Sequence, residues 1–267
     1  MTLSNEEKIR YSRQLIIPEI GEAGQEKLKA AKVFIAGLGG LGSVSAFYMA
    51  AAGVGYLRIA DKDSVEPGNL NRQILHGTGD IGKSKTESAR EKLRNLNPHC
   101  RIDAVCAEIR DDNIAELVGD CALIIDGTDN PDTRKILNRV HLSNHIPFIF
   151  AGIEGFDGMA TTFVPGETPC FECLFPGKRK KNEGIPVVAP AAGLLASIQS
   201  MEALKLITGI SGGLKGRLLY IRGREMTFRE IEVKKNPVCK ACSHQSIISK
   251  RILQIVLSTG RFAKSSY

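Results

Sequence analysis

Apolar and polar positions fall into two alternating regimes along the first 150 residues. Five short apolar runs have strand length: KVFIAG (32–37), GYLRIAD (55–61), RIDAVCAE (101–108), ALIIDG (122–127) and IPFIFAG (146–152). Between them lie segments of helical character: one after Gly42, one over 83–95, a short one before ALIIDG and one over about 130–143. Strands that alternate with helices predict a βαβ series, hence a parallel sheet with helices on both faces. Ahead of the first strand, Ser4 followed by Glu7 forms a capping-box pattern and predicts a helix over about 5–15.

Beyond residue 150 the pattern changes to strands punctuated by glycine, GIEGFDGMATTFVPGETP, as an antiparallel extension of the sheet requires. PGKRKKNEG (176–184) has no apolar face and predicts an exposed crossover loop. Leu194, Leu195, Ile198, Met201 and Leu204 then recur at helical spacing up to a stop at Gly209, a stripe suited to the core or to a dimer interface. The expected fold is α/β, a Rossmann-like doubly wound, mostly parallel sheet with an antiparallel C-terminal extension. It occupies one domain over 1–245, with the nucleotide-binding part ending near 150; residues 246–267 form a tail without an assigned role.

Composition narrows the classes. Of 267 residues 43% are hydrophobic and 24% charged, which excludes a disordered or fibrous chain. The charged start and the absence of an 18-residue apolar run predict a cytoplasmic protein. A net charge of +7 suits an anionic partner without selecting among nucleic acid, small anions and acidic proteins.

The candidate chemistry begins at IAGLGGLGS (35–43), where Gly37, Gly39 and Gly42 satisfy G-x-G-x-x-G with Gly40 between them. Such a turn lets phosphate approach the backbone and the helix N–H groups behind it, and NAD, FAD and ATP all fit. Asp61 ends the second strand 19 residues after Gly42, where a carboxylate accepts from ribose hydroxyls. Arg72 and Lys85 add cations beyond the needs of a bridged pyrophosphate and favour a triphosphate. The fourth strand ends IIDGTDN, bringing Asp126 and Asp129 to the sheet edge where one could hold Mg²⁺; turn chemistry and capping of the next helix are the competing explanation.

RYSRQ (10–14), GLGGLGS (37–43), AAGVGYLRIAD (51–61), NLNRQILH (69–76), GKSKTESAR (82–90), DGTDN (126–130) and two Cys-x-x-Cys pairs together resemble the ThiF/MoeB/HesA family, over residues 4 to about 243. Members of that family adenylate ubiquitin-like sulfur-carrier proteins and are related to the ubiquitin-activating enzymes. The resemblance implies ATP and Mg²⁺, with Gly39 at the phosphates, Asp61 on the ribose, Arg72 and Lys85 on the triphosphate, Asp129 on the metal and Asn69 as a further polar residue of the pocket. It also implies a homodimer in which Arg13 enters the neighbouring ATP site. The implied partner is a small β-grasp carrier ending in Gly-Gly, rather than nucleic acid or a membrane.

Cys170/Cys173 and Cys239/Cys242 have the spacing of one Cys₄ zinc site, with a redox dithiol as the alternative. Cys100, Cys106 and Cys121 sit in apolar contexts and are expected to be small buried side chains. Relatives often carry a cysteine eight residues before a proline equivalent to Pro190. Asn182 stands there, so the reaction is expected to stop at the acyl-adenylate. Two other classes stay open on the residues: an NAD(P)-dependent Rossmann oxidoreductase, and a noncatalytic or peptide-modifying relative.

Overall fold

The computed structural model describes residues 2–177 and 184–243; Asn182 and the tail from 246 onward lie outside the described residues. Five strands, β1 (Lys32–Ala36), β2 (Tyr56–Asp61), β3 (Arg101–Cys106), β4 (Leu123–Asp126) and β5 (Phe148–Glu154), form the parallel part. β6 (Asp157–Phe163), β7 (Arg217–Arg222) and β8 (Thr227–Glu232) continue the sheet antiparallel, in the order β3-β2-β1-β4-β5-β6-β7-β8. This is the expected architecture, with its reversal of strand direction after β5.

Period-two alternation divides each central strand between two apolar layers. Val33 and Ile35 of β1, Ile125 of β4 and Ile149 of β5 face α3 (Gly21–Ala30), α4 (Gly40–Ala52), α5 (Lys85–Leu96) and α9 (Ala189–Thr208) through Leu28, Met49, Leu93 and Ala203. Phe34, Ile124, Phe148 and Phe150 pack on the opposite side against α6 (Ile114–Val118), α7 (Pro131–Ser143) and α8 (Phe171–Leu174). Burial on both faces explains why these strands read as near-continuous apolar runs.

Two local expectations need correction, the single helix over 5–15 and the burial of Cys106, and α3 and α9 add detail. The helix over 5–15 is two helices, α1 (Asn5–Arg10) and α2 (Ser12–Leu15). They are separated at Tyr11, whose buried hydroxyl accepts a 2.8 Å hydrogen bond from Asn97 Nδ2. α3 carries no apolar stripe, because its buried face includes Gly24 and Gln25, and Gln25 donates to the Ala52 carbonyl at 2.9 Å. Cys100 and Cys121 are buried as expected, but Cys106 is exposed at the carboxyl end of the edge strand β3. The stripe on α9 is split: Leu195 and Ile198 are core, whereas Leu194 and Met201 face outward. Gly209 closes that helix in the left-handed region at φ 87°.

Candidate active site

The carboxyl ends of β1, β2 and β4 open into a cleft of about 340 Å³. Gly37, Gly39, Gly40, Asp61, Asn69, Arg72, Lys85 and Asp129 all line it, bringing eight of the sequence candidates together. Gly42 lies behind them. A Cβ there would sit 1.8 Å from the Gly37 carbonyl oxygen, while one at Gly127 would sit 2.5 Å from the same oxygen and 2.6 Å from Gly42 Cα. The glycine turn after β1 and the turn after β4 therefore interlock backbone against backbone. Gly37 at φ +83° and Gly39 as the N-cap of α4 leave the first helical N–H groups facing the cleft.

Asp61 is anchored by the Leu38 N–H at 2.7 Å and the Asp63 N–H at 2.8 Å. Burial raises its carboxyl above the usual range, against those two donors and nearby Lys85. Lys85 is nearly enclosed, its side chain 6% exposed, and pairs at 3.0 Å with Asp63, which is 55% exposed. A cation held this way is available to an incoming anion at the cost of releasing an exposed carboxylate to water. Arg72 is braced by the Gly68 carbonyl at 2.8 Å and Asn71 Oδ1 at 3.0 Å, and Asn69 Oδ1 accepts from the Glu66 N–H at 3.2 Å.

The two carboxylates after β4 separate in role. Asp126 is fully buried and accepts from the Thr128 N–H at 2.9 Å, Thr128 Oγ1 at 2.7 Å and Arg134 Nε at 2.8 Å. Asp129 is exposed in the cleft, and Asn130 rather than either aspartate caps α7 through the Asp132 N–H at 2.9 Å. Sequence reading missed three contributors. Gly127 provides the interlock. Arg134 reaches from α7 to the Thr128 carbonyl at 2.5 Å and the Ala151 carbonyl at 3.0 Å. Gln73 lies buried at the cleft wall, and no described residue satisfies its Oε1. The NRQ triplet was the available signal for it.

Arg13 does not enter the cleft of its own chain; it is exposed on α2. The four paired cysteines do converge. Their sulfurs lie within 4.8 Å of one another, with Cys170–Cys173 at 3.8 Å, Cys170–Cys239 at 3.7 Å and Cys173–Cys242 at 3.4 Å. Tetrahedral coordination at a metal–sulfur distance of about 2.3 Å calls for sulfur separations of about 3.8 Å, so the donor set fits such an ion. Asn138 Nδ2 approaches Cys170 Sγ at 3.7 Å.

With the glycine turn, the cations and the cysteine cluster in place, the family model that matches is the ThiF family, over residues 11–241. The chain belongs to the ThiF family. It is 39% identical over 256 residues to the adenylyltransferase and sulfurtransferase MOCS3 of Drosophila sechellia, covering 94% of this chain and 56% of that protein. Thus the ThiF domain described here spans little more than half of that relative. It is 38% identical over 247 residues to the SAMP-activating enzyme E1 of Haloferax volcanii, 90% of each chain. Among solved structures, Escherichia coli MccB with ATP superposes with a TM-score of 0.77 at 27% identity, over 87% of this ThiF chain and 73% of MccB. No described helix is long and apolar enough to cross a membrane.

Proposed function

We propose that this ThiF protein uses ATP to adenylate the C-terminal glycine of a small ubiquitin-like sulfur-carrier protein, releasing pyrophosphate. The observation that carries the reading is the cleft itself, where a helix N-terminus, Arg72, Lys85 and an exposed Asp129 converge over interlocked glycine turns. The oxidoreductase reading is not favoured, since the relatives are an adenylyltransferase and an E1-type activating enzyme.

The carrier's terminal carboxylate is ionised at neutral pH, so attack on the α-phosphorus needs no general base. The carboxylate oxygen bonds to phosphorus while the α–β bridging bond breaks, and negative charge accumulates on the departing pyrophosphate. Helix N–H groups of α4, Arg72 and Lys85 supply fixed positive potential to that charge. Asp61 holds the ribose, and Asn69 and Gln73 complete the polar wall. Mg²⁺ held by Asp129 would neutralise phosphate oxygens when bound.

Arg13 is assigned to the neighbouring subunit's cleft in a homodimer. Phe47 and Tyr48 on α4, with Leu194 and Met201 on the adjoining α9, are exposed and support such a face. The thiolate cluster is assigned to zinc in a structural role, because four thiolates leave no open coordination position. With asparagine at 182, no thioester cysteine acts from the crossover loop, and the product is the acyl-adenylate.

The test is ATP–pyrophosphate exchange driven by a Gly-Gly carrier from the source organism. Arg72→Ala or Asp129→Ala should lower it by hundreds-fold, about 3–4 kcal/mol of transition-state stabilisation, in protein that melts like the native chain. Near-native exchange in both variants refutes the assignment.

A further inference from the structure

The cleft and the thiolate cluster share one helix. Asn130, Arg134, Asn138 and Leu142 recur every four residues along α7 and so lie on one face. At a rise of about 1.5 Å per residue, the stripe spans about 18 Å. Its first residue caps the helix directly after Asp129. Its second, Arg134, pairs with buried Asp126 and fixes the Thr128 and Ala151 carbonyls, with its guanidinium 4.9 Å from the Phe150 ring centre. The third, Asn138, is fully buried. It accepts from the Phe171 N–H at 3.1 Å and donates toward Cys170 Sγ at 3.7 Å and Glu172 Oε1 at 3.1 Å. The fourth, Leu142, packs against Cys170 and Cys239.

We propose that α7 couples metal occupancy of the thiolate cluster to nucleotide affinity in the cleft, with Asn138 and Arg134 as its two positioning residues. The proposal rests on the adenylation reading and on zinc as the metal, and adds a link between the two sites.

The physical basis is the absence of slack at both ends. A buried amide whose oxygen and nitrogen are both engaged cannot follow Cys170 without moving its helix. When the four sulfurs share one ion, Cys170 and the Phe171 N–H are fixed points for Asn138. When they do not, the start of α8 loses that constraint and the stripe can shift along its axis. Arg134 transmits the shift to the Thr128 carbonyl, and so to the turn that aims Asp129. Coupling of this kind is reciprocal, so nucleotide in the cleft must equally strengthen retention of the metal.

The experiment uses the zinc-loaded full chain and follows zinc release to a chromogenic chelator, with and without Mg²⁺ and a non-hydrolysable ATP analogue whose binding is measured in parallel. Saturating analogue should slow release at least about fivefold, the lower end of ordinary allosteric couplings. In Asn138→Ala and in Arg134→Lys, which keeps a positive charge beside Asp126 but cannot reach Asp126 and the two carbonyls together as Nε and Nη2 do, that ratio should fall toward one. A general stabilisation of the fold by nucleotide would leave the ratio unchanged in both variants, and that result overturns the proposal. Equal release rates with and without bound analogue in the native chain overturn it without recourse to any variant. Should the zinc-loaded chain fail to bind the analogue at all, the adenylation reading falls as well, whereas independent binding of both removes the coupling alone.

Discussion

A methyl group added at Gly42 probes the interlock behind the cleft. In Gly42→Ala the new carbon would lie 1.8 Å from the Gly37 carbonyl oxygen and 2.8 Å from its carbon, and real contacts of this kind do not fall below 3.0 Å. The glycine turn and the first turn of α4 must therefore separate by about 1.2 Å, a distance at which misplacement of reacting groups costs about a hundredfold in rate. Gly127 Cα, 3.4 Å from the added carbon, blocks an easy retreat toward β4. Overpacking against backbone should also lower stability by about 1–3 kcal/mol. Gly39→Ala is the control for fold: its added carbon meets nothing closer than 3.5 Å, and its φ of −72° suits any residue. Isothermal titration with ATP, carrier-dependent pyrophosphate exchange and thermal denaturation together read the result. Exchange should fall about a hundredfold in Gly42→Ala with a lowered melting temperature, while Gly39→Ala melts like the native protein. Native ATP affinity and native stability in Gly42→Ala would show that the two turns are not mutually constrained.

Lys85→Met removes the enclosed cation and keeps its apolar stem. Exchange should drop by hundreds-fold, while the unfolding free energy from denaturant titration changes by less than about 1 kcal/mol because abandoned Asp63 is already more than half in water. His141 gives a pH prediction: burial lowers its pKa from 6.5 to about 4, and Nδ1 meets the Ile146 carbonyl at 2.6 Å. The unfolded chain binds this proton first as pH falls, so stability is complete above pH 6.5 and declines by about 3 kcal/mol down to pH 4, where the decline ends. Urea midpoints at pH 7 and 5 should show a smaller acid loss in His141→Gln, and identical losses would refute the assignment. Cys242→Ser should abolish stoichiometric zinc in elemental analysis. It should also admit protease near exposed Val238, since a metal closing the 69-residue separation between Cys170 and Cys239 contributes about 4 kcal/mol in chain entropy.

Local pattern made the sheet legible. The central strands β1 and β4 are buried on both faces and announce themselves as apolar runs, and the glycine turn follows directly from the first of them. What stayed hidden depends on contacts between residues distant in sequence. α3 has Gly24 and Gln25 on its buried face, so its packing leaves no hydrophobic period to read. Tyr11, at the break between α1 and α2, is held by Asn97, 86 residues away. Asp126 and Asp129 look equivalent in DGTDN, and only the reach of Arg134 from the next helix separates a buried anchor from an exposed ligand candidate. Cys106 reads as apolar because its neighbours are, yet β3 is an edge strand and turns it to solvent.

The thiolate pairs also impose a timetable. Cys170 and Cys173 emerge during synthesis well before Cys239 and Cys242, and β7 and β8 are made in the interval. A nascent chain can fold its parallel half and present the glycine turn while its cysteine cluster is still half built. Convergence of the four cysteines can then serve as the final fastening, sealing the sheet extension only after the antiparallel strands have docked.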